Sequence, residues 1–353
     1  MINFNILKKI KRVREEDKRN FEKGIRSDRN EKVENWPSNI FQKIFNKILR
    51  HEFTAYYNTS ELLSLESKIA KYYKIKINNF IINHGGDGVI KEFLLANYKN
   101  KMRVLINSNN YGMYKVYFKG LNIKCNEIPY IFDKKNKNLF ELDKKYLKKH
   151  LRKSDIFFYT NPNVVSNSDI SLNDLNNLCK KYPKKLFFID ESYNGFGEKT
   201  FLKLIRNNKN IYILRSITKT FGLASARVGF LIAHHESIKP FKALQTPYPV
   251  SLFSGKCLEY FIANKRIVNT YNFNVSKGRE FFCNRLKKKN YLVNNGKGLS
   301  ILIYFNSKKS LTKKFKKLEK NYIYTKMVKV NSNYFLRVTC SPVKIMKKIL
   351  RFF

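Results

Sequence analysis

Apolar and polar positions change rhythm several times along the chain, and each change marks an element. After Asn35-Trp36-Pro37-Ser38, the residues Ile40, Ile44, Phe45 and Ile48 recur at helical spacing and predict an amphipathic helix. Leu62, Leu65, Ile69 and Tyr72 predict a second helix behind Tyr57-Asn58-Thr59, with Ser60 as its expected N-cap. The pattern then turns into short unbroken apolar runs. They are Phe80-Ile81-Ile82, Val104-Leu105-Ile106, Ile156-Phe157-Phe158-Tyr159, Leu186-Phe187-Phe188-Ile189 and Ile211-Tyr212-Ile213-Leu214. Runs this short suit strands buried on both faces. Helical stretches at Val89 to Leu95 and Leu172 to Lys181 lie between them. Strands alternating with helices predict an α/β fold, a large three-layer αβα domain around a mostly parallel sheet.

Past Pro247-Tyr248-Pro249 the rhythm changes again. Leu252 to Lys265, Tyr271 to Lys289 and Ile345 to Phe353 read as helices, and Tyr291 to Val293, Leu299 to Phe305 and Tyr334 to Val338 as strands. This predicts a smaller α+β domain, with the two prolines at the hinge. The expected organisation is an N-terminal arm and first helix over 1–50, packing with the small domain. A large cofactor-binding domain over 51–245 and a small C-terminal domain over 246–353 complete it. Residues up to about 24 form a basic lead-in of poor periodicity.

A length of 353 residues suffices for two domains, and a hydrophobic fraction of 43% with 15% aromatics excludes a disordered chain. No apolar run approaches the ~20 residues of a membrane span. Met1 to Asn20 is charged throughout, unlike a secretory leader, so a cytoplasmic protein is expected. Five scattered cysteines argue against a zinc knuckle and a disulfide framework. His234-His235-Glu236 invites a metal reading, but adjacent histidines are expected to diverge, and no metal is expected. The net charge of +45, from 71 Lys+Arg against 26 Asp+Glu, invites a nucleic-acid partner. Lysine, asparagine and isoleucine are abundant together, however, and the lysines lie in short runs such as Lys134-Lys135 and Lys287-Lys288-Lys289. Without a binding motif, no specific nucleic-acid role is expected, only salt-sensitive adhesion to polyanions.

The chemistry centres on the stretch Ser216-Ile217-Thr218-Lys219-Thr220-Phe221-Gly222, which continues to Arg227-Val228-Gly229. Lys219 sits among small and apolar residues, where an ammonium is costly and its pKa falls, the setting of a Schiff-base lysine. Ser216, Thr218 and Arg227 offer two hydroxyls and a fixed cation for a phosphate. Asn83-His84-Gly85-Gly86-Asp87-Gly88, between a strand and a helix, can aim N–H groups at an anion. Ligands of such sheets bind outside the carboxyl ends of the strands, where Asn161, Asn163, Asp190, Tyr193 and Tyr111 also fall. Schiff-base lysine, phosphate cradle and a buried acid together suggest pyridoxal 5′-phosphate (PLP). Asp190 would hold the pyridine nitrogen protonated, Tyr193 would donate to the phenolate oxygen, and Tyr111 would stack on the ring.

Asp190-Glu191-Ser192-Tyr193 followed by Arg215-Ser216-Ile217-Thr218-Lys219 and Arg227-Val228-Gly229 resembles the paired motifs of fold-type I PLP aminotransferases. Tyr111-Gly112-Met113-Tyr114, Pro247-Tyr248-Pro249-Val250-Ser251 and Leu336-Arg337-Val338 are similar to those of the histidinol-phosphate aminotransferase subgroup. The resemblance runs from about residue 25 to 340. It implies Lys219 as the Schiff-base lysine, Asp190 and Tyr193 as its catalytic partners, and Gly86, Asp87, Ser216, Thr218 and Arg227 around the phosphate. Tyr57 would reach the phosphate of a neighbouring subunit in a homodimer, and Arg337 would pair with an acidic group of the substrate, carboxylate or phosphate.

Three departures bear on this. Asn161-Pro162-Asn163-Val164 carries Val164 where the family has the ring-contacting asparagine, leaving Asn163 or Asn161 as the substitute. The arginine usually found just upstream of Leu-Arg-Val is missing, and Lys326 is the nearest cation. The N-terminal Asn-Glu-Asn-Pro survives only as Asn30-Glu31. The expected activity is transfer of an amino group from an amino acid or phosphorylated amine to a 2-oxo acid. A decarboxylase of the same fold and, more distantly, a polyanion-binding protein on a degenerate scaffold are the alternatives.

Overall fold

The computed structural model describes residues 19–49, 54–135, 139–165, 169–196, 199–294, 296 and 298–353, so most of the expected basic arm lies outside the described residues. The strand β1 (Ile25–Arg26) leads to helices α1 (Ser38–Ile48) and α2 (Thr59–Tyr73). Next come β2 (Phe80–His84), α3 (Gly85–Ala96), β3 (Arg103–Asn107), α4 (Gly112–Gly120) and β4 (Lys124–Ile128). The antiparallel pair β5 (Tyr130–Phe132) and β6 (Phe140–Leu142) precedes α5 (Lys144–Leu151), β7 (Ile156–Thr160), α6 (Leu172–Lys181) and β8 (Leu186–Asp190). Then follow β9 (Ile211–Ser216), the single turn α7 (Ile217–Thr220), β10 (Val228–Ala233) and α8 (His235–Leu244).

Seven of these strands form one sheet in the order β2-β10-β9-β8-β7-β3-β4. Only β10 runs antiparallel to its neighbours. Every residue of β7, β9 and β10 is buried. The unbroken apolar runs follow from that. Phe157, Phe187 and Ile211 pack into one core, while their successors Phe158, Phe188 and Tyr212 pack into the other. Helices cover both faces, so each side chain leaves water, at about 1.5–3 kcal/mol for a large apolar residue.

The rest of the chain adds α9 (Leu252–Ala263), α10 (Lys265–Lys288), β11 (Val293–Asn294), β12 (Ser300–Phe305) and α11 (Lys308–Lys320). It ends with β13 (Ile323–Tyr324), β14 (Lys326–Val330), β15 (Asn333–Thr339) and α12 (Val343–Leu350). An antiparallel sheet, β11-β12-β15-β14, lies over a third core that includes Phe282, Leu286, Ile301, Leu336 and Met346. The N-terminal segment returns to this unit, because β1 pairs in parallel with β13 and the Ser27 carbonyl accepts from Thr339 N at 2.9 Å. Helix α1 turns Ile40, Ile44 and Ile48 inward and packs on α9.

Several expectations are corrected. Asn58 caps α2, its side chain accepting from Ser60 N, and Ser60 lies inside the first turn. The long helix begins at Lys265, one turn and a half before Tyr271, because its first turns carry few apolar residues. Strands β4 and β14 escape the apolar reading because each lies at a sheet edge and carries polar residues. The rings of His234 and His235 do not diverge. They lie 4.2 Å apart, because His234 is the N-cap of α8 and the chain bends there, while Glu236 is salt-bridged to Lys209. No helix among the described residues is long and apolar enough to cross a membrane.

Candidate active site

The site forms where β8 and β9 end side by side. Cross-strand pairing sets Asp190 beside Thr160 on one flank and Leu214 on the other, two residues short of Ser216. Behind this edge Glu191 and Arg215 make a buried ion pair at 2.7 Å. Thr200 Oγ1 and Phe201 N also donate to the Glu191 carboxylate, at 2.8 and 2.7 Å. Removing one member of such a pair typically costs about 3–5 kcal/mol, so the spacing of the two strand ends is firmly set.

Ser216 starts α7, its Oγ accepting from Thr218 N at 3.2 Å and lying 3.0 Å from Thr218 Oγ1. The turn presents Lys219, whose Nζ donates to the Arg29 carbonyl at 3.2 Å. Burial pulls the Lys219 ammonium down to about 8, with Arg337 and Arg227 adding to the fall and Glu31 opposing it. The Arg29 carbonyl belongs to a strap that crosses the turn. Within it Asn30 Nδ2 donates to Tyr193 Oη at 3.2 Å, and Trp36 Nε1 donates to the Phe221 carbonyl at 3.0 Å.

Helix α3 begins at Gly85 with no side-chain cap from His84, so its first N–H groups, near Gly86 and Asp87, stay open to an anion. Gly229 lies against this turn so closely that a Cβ there would stand 2.5 Å from the Gly85 carbonyl carbon. That approach, with Gly85 at φ +67°, brings Arg227 over the helix start, where its Nη2 meets Asp87 Oδ2 at 3.0 Å. Helix N-terminus, two hydroxyls and one guanidinium thus come together from three separate stretches of sequence.

Asp190 is buried, and its two oxygens accept from Ser192 N at 2.9 Å and Tyr114 Oη at 2.8 Å. Burial raises its pKa, and those hydrogen bonds pull against the rise. Tyr111 is exposed at the head of α4, its Oη 3.4 Å from Asp87 Oδ2. Asn163 spends its amide inside the protein, donating to Thr160 Oγ1 at 2.8 Å and Asn110 Oδ1 at 2.9 Å. Asn161 donates to the Lys199 carbonyl at 2.9 Å, and Val164 packs on the apolar core. Tyr57 is engaged elsewhere, donating to the Val250 carbonyl at 3.0 Å with its ring edge-on to Tyr248.

Arg337 reaches this region from β15 and donates to the Asp28 carbonyl. Its Nε is buried without a partner. Lys326 stands directly opposite on β14. Loss of solvent and the charge of Arg337 both push the Lys326 ammonium down. Sequence reasoning did not single out Tyr114, although its place one turn after Tyr111 on a helix is a signal of shared direction. The Glu191–Arg215 pair and the Arg29 carbonyl carry no such signal, because only folding brings them into place.

Residues 26–351 match the family described as "Aminotransferase class I and II". The histidinol-phosphate aminotransferase of Buchnera aphidicola subsp. Cinara cedri is 30% identical over 292 residues, covering 79% of this chain and 77% of the relative. That of Sulfurisphaera tokodaii is 28% identical over 274 residues, covering 77% and 75%. In fold, the chain is similar to a histidinol-phosphate aminotransferase from Sinorhizobium meliloti solved with pyridoxal-5′-phosphate. The TM-score is 0.79 at 14% identity, over 92% of this chain and 88% of that one. It is similar also to L-threonine-O-3-phosphate decarboxylase from Porphyromonas gingivalis, with a TM-score of 0.74 at 14% identity over 92% and 97%. With the family matched across nearly its whole length, the chain belongs to the class I and II aminotransferases, transaminases that work with pyridoxal 5′-phosphate.

Proposed function

We propose that the chain moves an amino group from a donor bearing an acidic group to a 2-oxo acid, with Lys219, Asp190 and the α3–α7 cradle as its machinery. One observation carries the reading. A lysine amine lowered to about 8, a buried carboxylate and an uncapped helix start beside Ser216, Thr218 and Arg227 occupy one sheet edge. This donor set fits the cofactor: open N–H groups, hydroxyls and a guanidinium for a phosphate, a carboxylate for a protonated ring nitrogen, and an amine for the carbonyl.

When bound, the cofactor supplies a protonated ring that delocalises the electron pair left by a broken bond at the substrate α-carbon. Lys219 Nζ is the base that takes the α-proton, and its lowered pKa leaves roughly a tenth of it unprotonated at neutrality, far more than an ordinary lysine. Asp190 holds the proton on the ring nitrogen, with Tyr193 beside the ring's oxygen and Tyr111 over its face. Arg337, with Lys326 across from it, takes the acidic group of the donor. A histidinol-phosphate-like donor suits two adjacent cations, consistent with the names of the relatives.

The assembly that accompanies this reading is a homodimer. Phe41, Phe45 and Leu49 are exposed along α1 and its end, and Tyr56 is exposed next to Tyr57, apolar residues suited to a second copy. Tyr57 would then serve the partner's phosphate cradle.

The test is to load the purified protein with PLP, fix it with borohydride and map the mass increase. Donors, histidinol phosphate among them, are then offered with 2-oxoglutarate, and glutamate is measured. Cofactor mass on Lys219 with glutamate formed supports the reading. No fixed cofactor, or carbon dioxide released in place of glutamate, overturns it, the latter in favour of decarboxylation.

A further inference from the structure

The geometry points to Tyr114 as a positioning residue for Asp190, its phenolic hydroxyl holding the carboxylate ionised and fixed in direction. The inference deepens the proposed function, since it rests on Asp190 serving the ring nitrogen.

Tyr114 belongs to the first turn of α4, three residues after Tyr111 at the helix head. Its ring is packed in an apolar cluster with Phe118 and Phe158, at centroid distances of 6.0 and 5.6 Å, and is 1% exposed. A phenylalanine would fill that cluster equally well. A hydroxyl placed there is costly unless it has a partner, and its partner is Asp190 Oδ2 at 2.8 Å. The hydroxyl therefore has a use that packing does not explain.

The need lies on the side of Asp190. Burial favours the neutral acid, and so does the Asp87 carboxylate on α3. The Tyr193 phenol also faces it. What favours the anion is neutral donors: Ser192 through its hydroxyl and its N–H, and the Tyr114 hydroxyl. A carboxyl that took up its own proton would no longer pair with a charged ring nitrogen. Tyr114 thus sustains, through Asp190, the charge state on which the ring's acidity depends. One helical turn carries both Tyr111, which would cover the ring, and the hydroxyl that donates to Asp190.

The experiment uses Tyr114→Phe in cofactor-free full-length chain carrying carboxyl-labelled aspartate, with the Asp190 resonance identified from Asp190→Asn. Loss of a hydrogen bond to a buried carboxylate is expected to raise the Asp190 titration by about one to two pH units. PLP, titrated into the same protein, is expected to bind roughly tenfold more weakly, with the thermal midpoint of the cofactor-free protein little changed. An Asp190 titration that does not move overturns the inference. So does a lowered thermal midpoint with an unmoved titration, which would make Tyr114 a packing residue only. Failure of the wild-type chain to fix PLP on Lys219 sinks the proposed function instead, and leaves the titration result standing.

Discussion

At the edge of the large sheet, Asp87 answers Arg227 at 3.0 Å and Asp190 is supplied with two donors. On the small sheet, Arg337 and Lys326 face each other across paired strands with like charge. The first region has given both carboxylates partners before any ligand arrives. The second has two cations offset by the Asp28 carbonyl and nearby carboxylate, with the Arg337 Nε still unpartnered. Burial pushes both Arg337 and Lys326 toward their neutral forms, and the charge of Arg337 adds to the fall at Lys326. Like charges directly opposite on a sheet are destabilising, so this arrangement is retained at a cost. A cofactor site can be rigid and pre-paired because it always receives the same molecule. Under the proposed function the second region is the substrate site, and its selectivity is stored in charge that only the right anion relieves.

The largest effect belongs to the satisfied region. Lys219→Ala is expected to lower turnover by more than about a thousandfold and to abolish borohydride fixation of the cofactor, while the fold survives. A mutant that keeps its activity would break the assignment of that region altogether. Next, Arg337→Met should cut kcat/KM for an acidic donor by roughly a hundredfold, with little change in cofactor affinity. Equal losses for acidic and neutral donors would erase the contrast between the two ends.

A pH profile sharpens the comparison further. A lysine whose pKa is lowered becomes neutral at lower pH than usual, so cofactor capture by cofactor-free protein should rise with pH. Its half-point is expected near the value of about 8 set by burial of Lys219, well below the ordinary lysine value. Stopped-flow capture rates across pH would show it. The smallest effect is that of Lys326→Met. It should weaken a phosphate-bearing donor by about three- to tenfold, yet raise the thermal midpoint of the free protein by roughly a degree or two, because it removes the repulsion. Opposite signs for binding and stability are what a pre-charged substrate site requires.

Much of the large sheet was legible because burial on both faces writes itself into the sequence as unbroken apolar runs. Ile156 to Tyr159 and Leu186 to Ile189 emerge as the interior of β7 and β8. Edge strands such as β4 do not, since one side meets solvent and the composition turns polar. The same contrast governs the site. Lys219, Asp190 and Arg227 stand in local motifs, where the spacing itself announces the chemistry. Val164 is the case where spacing posed a question. The two asparagines that precede it, Asn161 and Asn163, are tied into Ser108, Asn110, Thr160 and Lys199.

The chain by itself determined the fold class and the strand runs, and it pointed to the lysine, the acid and the cation that the proposed function uses, because each depends on neighbours a few residues away. Tertiary structure alone decided which groups meet across long separations. Tyr114 finds Asp190, Lys326 comes to lie opposite Arg337, and the Arg29 carbonyl reaches Lys219. The physical reason is that desolvation and pairing belong to positions in space. A hydroxyl costs free energy or confers function according to what packing brings within hydrogen-bond distance.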